Sequence, residues 1–108
     1  MEKLVKSLVD TEWSIPQKGV REKNVTVGGK LVRLLEIVGR YESNEWCETG
    51  HTGYVLKGSF DLNIDGEVNT LSKGSVFFVE GGRHKHRHMP TVHEGEKIRL
   101  LLVEDFEE

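Results

Sequence analysis

The sequence predicts an all-β domain of short antiparallel strands, and three observations lead there. Gly28-Gly29 and Asp65-Gly66 are two-residue hairpin signals, because both central residues of such a turn need positive φ. Phe60, Leu62 and Ile64 alternate with Ser59, Asp61 and Asn63, the period-two pattern of a half-buried strand. Turn signals then recur about every 8–12 residues, which suits a sandwich or a barrel of about nine strands. This pattern alone does not choose between those topologies, and no segment after residue 10 reads as helix.

In chain order, Leu4, Val5, Leu8 and Val9 have helical spacing but are read as extended chain with a short turn. Trp13 and Ile15 are expected to anchor the core, and Pro16 to Gly19 to form a turn. Residues 24–27 and 30–38 form the arms of the first hairpin. The second arm, KLVRLLEIV, is apolar on both faces, as a buried strand is. Strands follow at 53–57 and 59–64, with Gly58 marking a bulge or bend between them. Residues 67–71 return from the Asp65-Gly66 turn, Lys73-Gly74 turns again, and Ser75–Val79 is a buried strand. The run His84-Lys85-His86-Arg87-His88 would put imidazoles on one strand face and cations on the other, with Pro90 ending the strand. Lys97–Val103 is the last strand, and residues 104–108 form an acidic tail.

Composition narrows the function classes. A chain of 108 residues suits one domain with a short N-terminal extension over 1–15. The net charge of -3 offers no basic patch, so nucleic acid is not an expected partner. No apolar run is long enough for a membrane span, and no signal-peptide core stands at the N-terminus. Cys47 is the only cysteine, so no intramolecular disulfide forms, which suits a cytoplasmic location. The 36% hydrophobic content implies a thin core, and with the two-sided apolar strand at 30–38 it points to a homodimer.

The chemistry concentrates between Gly39 and Gly58. Glu45, Cys47 and His51 all stand at odd positions, so in extended chain they share one face. The spacing is Gly39, five residues, Glu45, one residue, Cys47, three residues, His51, six residues, Gly58. It resembles the first motif of the cupin superfamily, in which the three ligand positions read His, His and Glu. The spacing matches throughout, while the three identities differ. The second motif of that family runs Gly, five residues, Pro, one residue, Gly, two residues, His. Here Gly74 opens it, Glu80 stands for the proline, Gly82 fits the second glycine, and the histidine falls one residue early at His84. His86 lies on the same face and is the alternate; His88 falls at the strand end before Pro90 and is left out of the site.

The resemblance implies a single antiparallel β-barrel of jelly-roll type. It also implies a divalent metal held by Glu45, Cys47, His51 and His84, with His86 beside them. Thiolate, imidazole and carboxylate together suit zinc, iron, nickel or cobalt, and disfavour magnesium and calcium. The plain reading is an eroded motif whose polar groups are hydrogen-bonded in a metal-free pocket. Cys47 can be a nucleophile or an inert buried thiol, and the histidine-rich run can be a solvated strand. Two functions stay open. One is a metal-dependent enzyme acting on a small polar or anionic molecule in the barrel. The other is a non-enzymatic small-molecule binding or sensor module.

Overall fold

The computed structural model describes residues 4–42, 50–81 and 87–105. Ten strands are formed: β1 (Ser14–Gln17), β2 (Val20–Val27), β3 (Lys30–Val38), β4 (Tyr41–Glu42), β5 (His51–Lys57), β6 (Ser59–Ile64), β7 (Glu67–Ser72), β8 (Val76–Val79), β9 (His88–Val92) and β10 (Lys97–Asp105). Among the described residues no helix is long and apolar enough to cross a membrane.

Every strand pairing is antiparallel. The strands make a six-stranded sheet in the order β1-β2-β3-β10-β5-β8 and a four-stranded sheet in the order β4-β9-β6-β7. The expected closed barrel is therefore corrected to an open two-sheet sandwich. Closure needs a ladder between the edges of the two sheets, and β1, β8, β4 and β7 make none across them. β1 carries Pro16, which has no N–H to give a further strand and is at home on an edge.

Both hairpin turns form as their residues require. Gly28 and Gly29 have φ of 57° and 74°, and Asp65 and Gly66 have 53° and 93°. Asn63 Oδ1 accepts a hydrogen bond from the Gly66 amide at 2.8 Å, which ties the second turn to its own strand. Ahead of Gly58 the register slips: Arg99 faces Lys57, while the next residue, Leu100, faces Val55. Leu56 is the extra residue of this bulge. Gly58 itself has φ of 84°, and a Cβ there would sit 2.3 Å from the Lys97 carbonyl oxygen.

Alternation sorts each strand into two faces. On the large sheet Val20, Leu35, Ile37, Val55, Phe77, Ile98, Leu100 and Leu102 point inward, and Phe60, Leu62 and Val92 meet them from the small sheet. A Cβ on Gly53 would lie 2.2 Å from the Phe77 ring, so the ring crosses its neighbour strand where a side chain is missing. Trp13 and Ile15 do not anchor this core. Ile15 is 74% exposed on the edge strand. Trp13 is half-buried, with the Arg21 guanidinium 4.0 Å and the Lys23 ammonium 4.9 Å from its ring centre.

The outward face of the large sheet holds one buried charge. Glu36 is 1% exposed; its carboxylate accepts from Arg21 Nε at 2.6 Å and Arg99 Nε at 2.7 Å. Burial alone would raise its pKa, but the hydrogen bonds from Arg99 and Arg21 outweigh this and hold it below the usual carboxylate range. A depressed carboxylate contributes stability above its unfolded pKa and loses it as pH falls through the folded value. Glu36→Gln is therefore expected to cost about 1–2 kcal/mol at neutral pH, kept modest because both arginines are half exposed. Urea titrations at descending pH should show the two proteins converging in acid; a pH-independent gap would mean that the charge is irrelevant.

Candidate functional site

The site gathers at one end of the space between the sheets. Gly50 leads the chain into β5 and has no room for a side chain, since a Cβ would lie 2.5 Å from the Gly81 amide nitrogen. This close crossing sets His51 as the first residue of β5, opposite Val79, with its ring turned inward and 6% exposed. On the facing sheet the Asp65 turn holds the start of β9. Arg87 donates its amide to Asp65 Oδ1 at 3.0 Å, and its carbonyl accepts from the Asp65 amide at 2.9 Å. His88 follows opposite Ile64 and is 4% exposed. The two imidazoles meet edge to face, with ring centres 4.8 Å apart.

Three charged side chains complete this end: Glu22 from β2, Arg33 from β3 and Glu104 from β10. Parity places all three inward: Glu22 opposite Leu35, Arg33 opposite Leu102, and Glu104 two residues beyond Leu102 on the same strand. Arg33 donates through Nε to Glu22 Oε1 and through Nη1 to Glu104 Oε2 at 2.8 Å. Burial would lower the Arg33 pKa, but the hydrogen bonds to Glu22 and Glu104 outweigh it and raise the value, so the guanidinium stays charged. Glu104 Oε2 also lies 2.6 Å from His51 Nδ1. For His51 burial prevails over the attraction of Glu104, and its pKa is lowered. A carboxylate only accepts, so this contact favours the tautomer with the proton on Nδ1.

Beyond these groups the space between the sheets opens into a cavity of about 380 Å³. Its polar end is Glu22, Arg33, His51 and His88, and most of its remaining wall is apolar, including Leu35, Phe60, Leu62, Phe77 and Leu102. A cleft of about 500 Å³ meets His51 and Glu104 from the end of the large sheet, beside Lys30, Glu80 and Asp105. Its described lining comes from that one sheet and its adjoining loops, so it is a surface groove. The cavity is walled by both sheets and is the better place to enclose a small molecule.

Of the expected metal ligands, the structure brings His51 into this site. Glu45, Cys47, His84 and His86 lie outside the described residues. Among the described residues no group of three or more His, Cys, Asp or Glu side chains is placed to hold a metal ion. The donors present do not compose such a centre: Glu104 is engaged with Arg33, and the His51 Nδ1 is turned to that same carboxylate.

Four residues of this site stand outside the set that the sequence predicts, and three of them, His88, Glu104 and Arg33, carry a parity signal. His88 shares a face with His84 and His86, but Pro90 was expected to end the strand. Instead β9 begins at His88 and runs through Pro90 to Val92. Glu104 was assigned to the acidic tail, whereas β10 continues to Asp105 and Glu104 stands in phase with Leu100 and Leu102. Glu22 was placed before the first predicted strand, and β2 begins at Val20. Arg33 sits in phase with Leu35 and Ile37 inside the apolar strand.

This fold recurs among solved structures. The polyketide cyclase RemF from Streptomyces resistomycificus superposes with a TM-score of 0.76 at 21% identity, over 99% of this chain and 81% of that one. KdgF from Halomonas sp. gives 0.72 at 18% identity, over 100% and 96%. A cupin-2 domain from Rhodospirillum rubrum gives 0.78 at 13% identity, over 98% and 76%. At these identities the likeness is one of fold. Among curated protein sequences none matches the chain. Residues 39–104, more than half of the chain, match the model of the Cupin domain family. The two-sheet fold and the glycine-framed spacing agree with that match, and the chain belongs to the cupin family.

Proposed function

We propose that this protein is a small-molecule-binding cupin whose binding does not depend on a metal. The observation that carries the reading is the cavity itself: about 380 Å³, walled by two sheets, mostly apolar, with a few charged and imidazole groups at one end. That combination is the usual make-up of a small-ligand site, where apolar walls supply affinity and a few fixed polar groups supply orientation. The Glu22–Arg33–Glu104 arrangement supports it, because these side chains satisfy one another and hold their places before a ligand arrives. RemF and KdgF are relatives in fold, and at 21% identity the cyclase activity of RemF is a property of that protein.

The competing reading places a zinc, iron, nickel or cobalt ion among Glu45, Cys47, His51, His84 and His86, and a reaction beside it. One experiment separates the two. Amide shifts in a nuclear magnetic resonance titration with indole, a neutral aromatic probe, should map to Phe60, Leu62 and Leu102. They should be the same with and without EDTA, and Leu62→Trp, which fills the cavity, should abolish them. Binding that appears only after loading with a transition metal would favour the metal reading instead.

We also propose that the protein is a homodimer joined through the outer face of its large sheet. The register lines up Leu34, Leu101, Tyr54 and Val76 in one row, and Val25, Val32, Val103, Thr52 and Phe78 in the next. Tyr54, Val76 and Phe78 are 42%, 65% and 66% exposed, an apolar patch of the kind that marks an interaction surface. A two-fold axis through this face sets apolar rows against apolar rows. The Arg21–Glu36–Arg99 cluster on the same face carries one positive charge in excess, so the apolar rows and not this cluster would have to lie at the axis. Sedimentation equilibrium at micromolar concentration should give the dimer mass, and Phe78→Lys should shift it toward the monomer. A monomeric parent protein would refute this assembly.

A further inference from the structure

The charge balance at the polar end of the cavity narrows the ligand class. Two carboxylates, Glu22 and Glu104, converge on a single guanidinium, Arg33. Counted formally, that buried set carries one negative charge in excess. Arg33 gives Nε and one Nη1 hydrogen to protein carboxylates, so any donor it has left lies beside two negative charges already drawn to the same guanidinium. Carboxylate oxygens only accept hydrogen bonds, so what they add to this end of the cavity is acceptor capacity. Glu22 lines the cavity itself and is 8% exposed, so water screens its charge little there. An incoming carboxylate or phosphate would meet uncompensated negative charge in a poorly solvated place, a pairing that selects strongly against a ligand.

Resting on the cavity reading above, we infer that the ligand is a small amphipathic molecule whose apolar or aromatic body lies between the sheets and whose polar end is a hydrogen-bond donor. That end is an ammonium or a hydroxyl and not an anion. This narrows the expected small polar or anionic molecule to a polar one whose end donates. Leu35, Phe60, Leu62, Phe77 and Leu102 would cover the body, while Glu22 takes the donor.

A panel of three probes of nearly equal size tests this: benzylamine, benzyl alcohol and benzoate, each titrated by isothermal calorimetry and by amide shifts. Benzylamine should bind most tightly, benzyl alcohol next, and benzoate at least about tenfold more weakly than benzyl alcohol. Glu22→Gln, whose amide oxygen still accepts a hydrogen bond but carries no charge, should remove the preference for benzylamine over benzyl alcohol, and a preference that survives the substitution would overturn the role of Glu22. Should that variant fail to fold, the ranking measured on the parent protein decides alone. Equal binding of all three probes, or tighter binding of benzoate, overturns the charge selectivity and leaves the cavity reading standing. Failure of all three to bind overturns both.

Discussion

Arg33, partly buried with its side chain 27% exposed, is the constraint on which the rest of the interior depends. Two carboxylates from different strands face into the space between the sheets, and either one alone would be expensive to bury. Arg33 answers both: its planar fork reaches Glu22 with one edge and Glu104 with another. In doing so it links β2, β3 and β10 by side chains in addition to their backbone ladders. Glu104, held from one side by Arg33, meets His51 from the other. The position of the imidazole pair thus follows from a charge-compensation problem solved two strands away.

The open sandwich makes room for a ligand. With no ladder running from one sheet to the other, their separation is set by the side chains between them. Phe60, Leu62 and Val92 belong to one apolar cluster with Val55, Ile98 and Leu100, and Phe60, Leu62, Ile98 and Leu100 also wall the cavity. Toward His51 and His88 the facing groups are charged or aromatic and partner one another, and the space stays open. Glycines set the margins of this region. Gly50 and Gly81 let two loops cross in contact, and Gly53 lets the Phe77 ring lie over β5.

How much of this was legible follows from which forces are local. β3 was read with its observed limits, because an apolar run framed by Gly28-Gly29 and Gly39 leaves little freedom in register. The Asp65-Gly66 turn and the alternation of β6 were equally plain, since both depend on backbone φ and on period two. The burial of Trp13 and Ile15 could not be read from their hydrophobicity, because that depends on β1 being an edge with its side chains outward. Whether the sheets close into a barrel depends on pairing between distant edges, which no local pattern encodes. For the site, parity pointed correctly to Arg33, Glu104 and His88. Composition and the presence of Pro90 pulled the reading away from them. Of the candidate ligands named from the glycine-framed motifs, His51 is the one among the described residues, and it stands at the polar end of the cavity.

The central claim is that Arg33 is the shared partner of two buried carboxylates, Glu22 and Glu104, at one end of the space between the sheets. The most direct measurement is urea denaturation of Arg33→Met beside the triple variant that also carries Glu22→Gln and Glu104→Gln. The single variant leaves both carboxylates without their cation and should lose about 3–5 kcal/mol. The triple variant removes the charges together and should regain most of that loss. A single variant within about 1 kcal/mol of the parent, the scale of a surface pair, or a triple variant no more stable than the single one, would contradict the account.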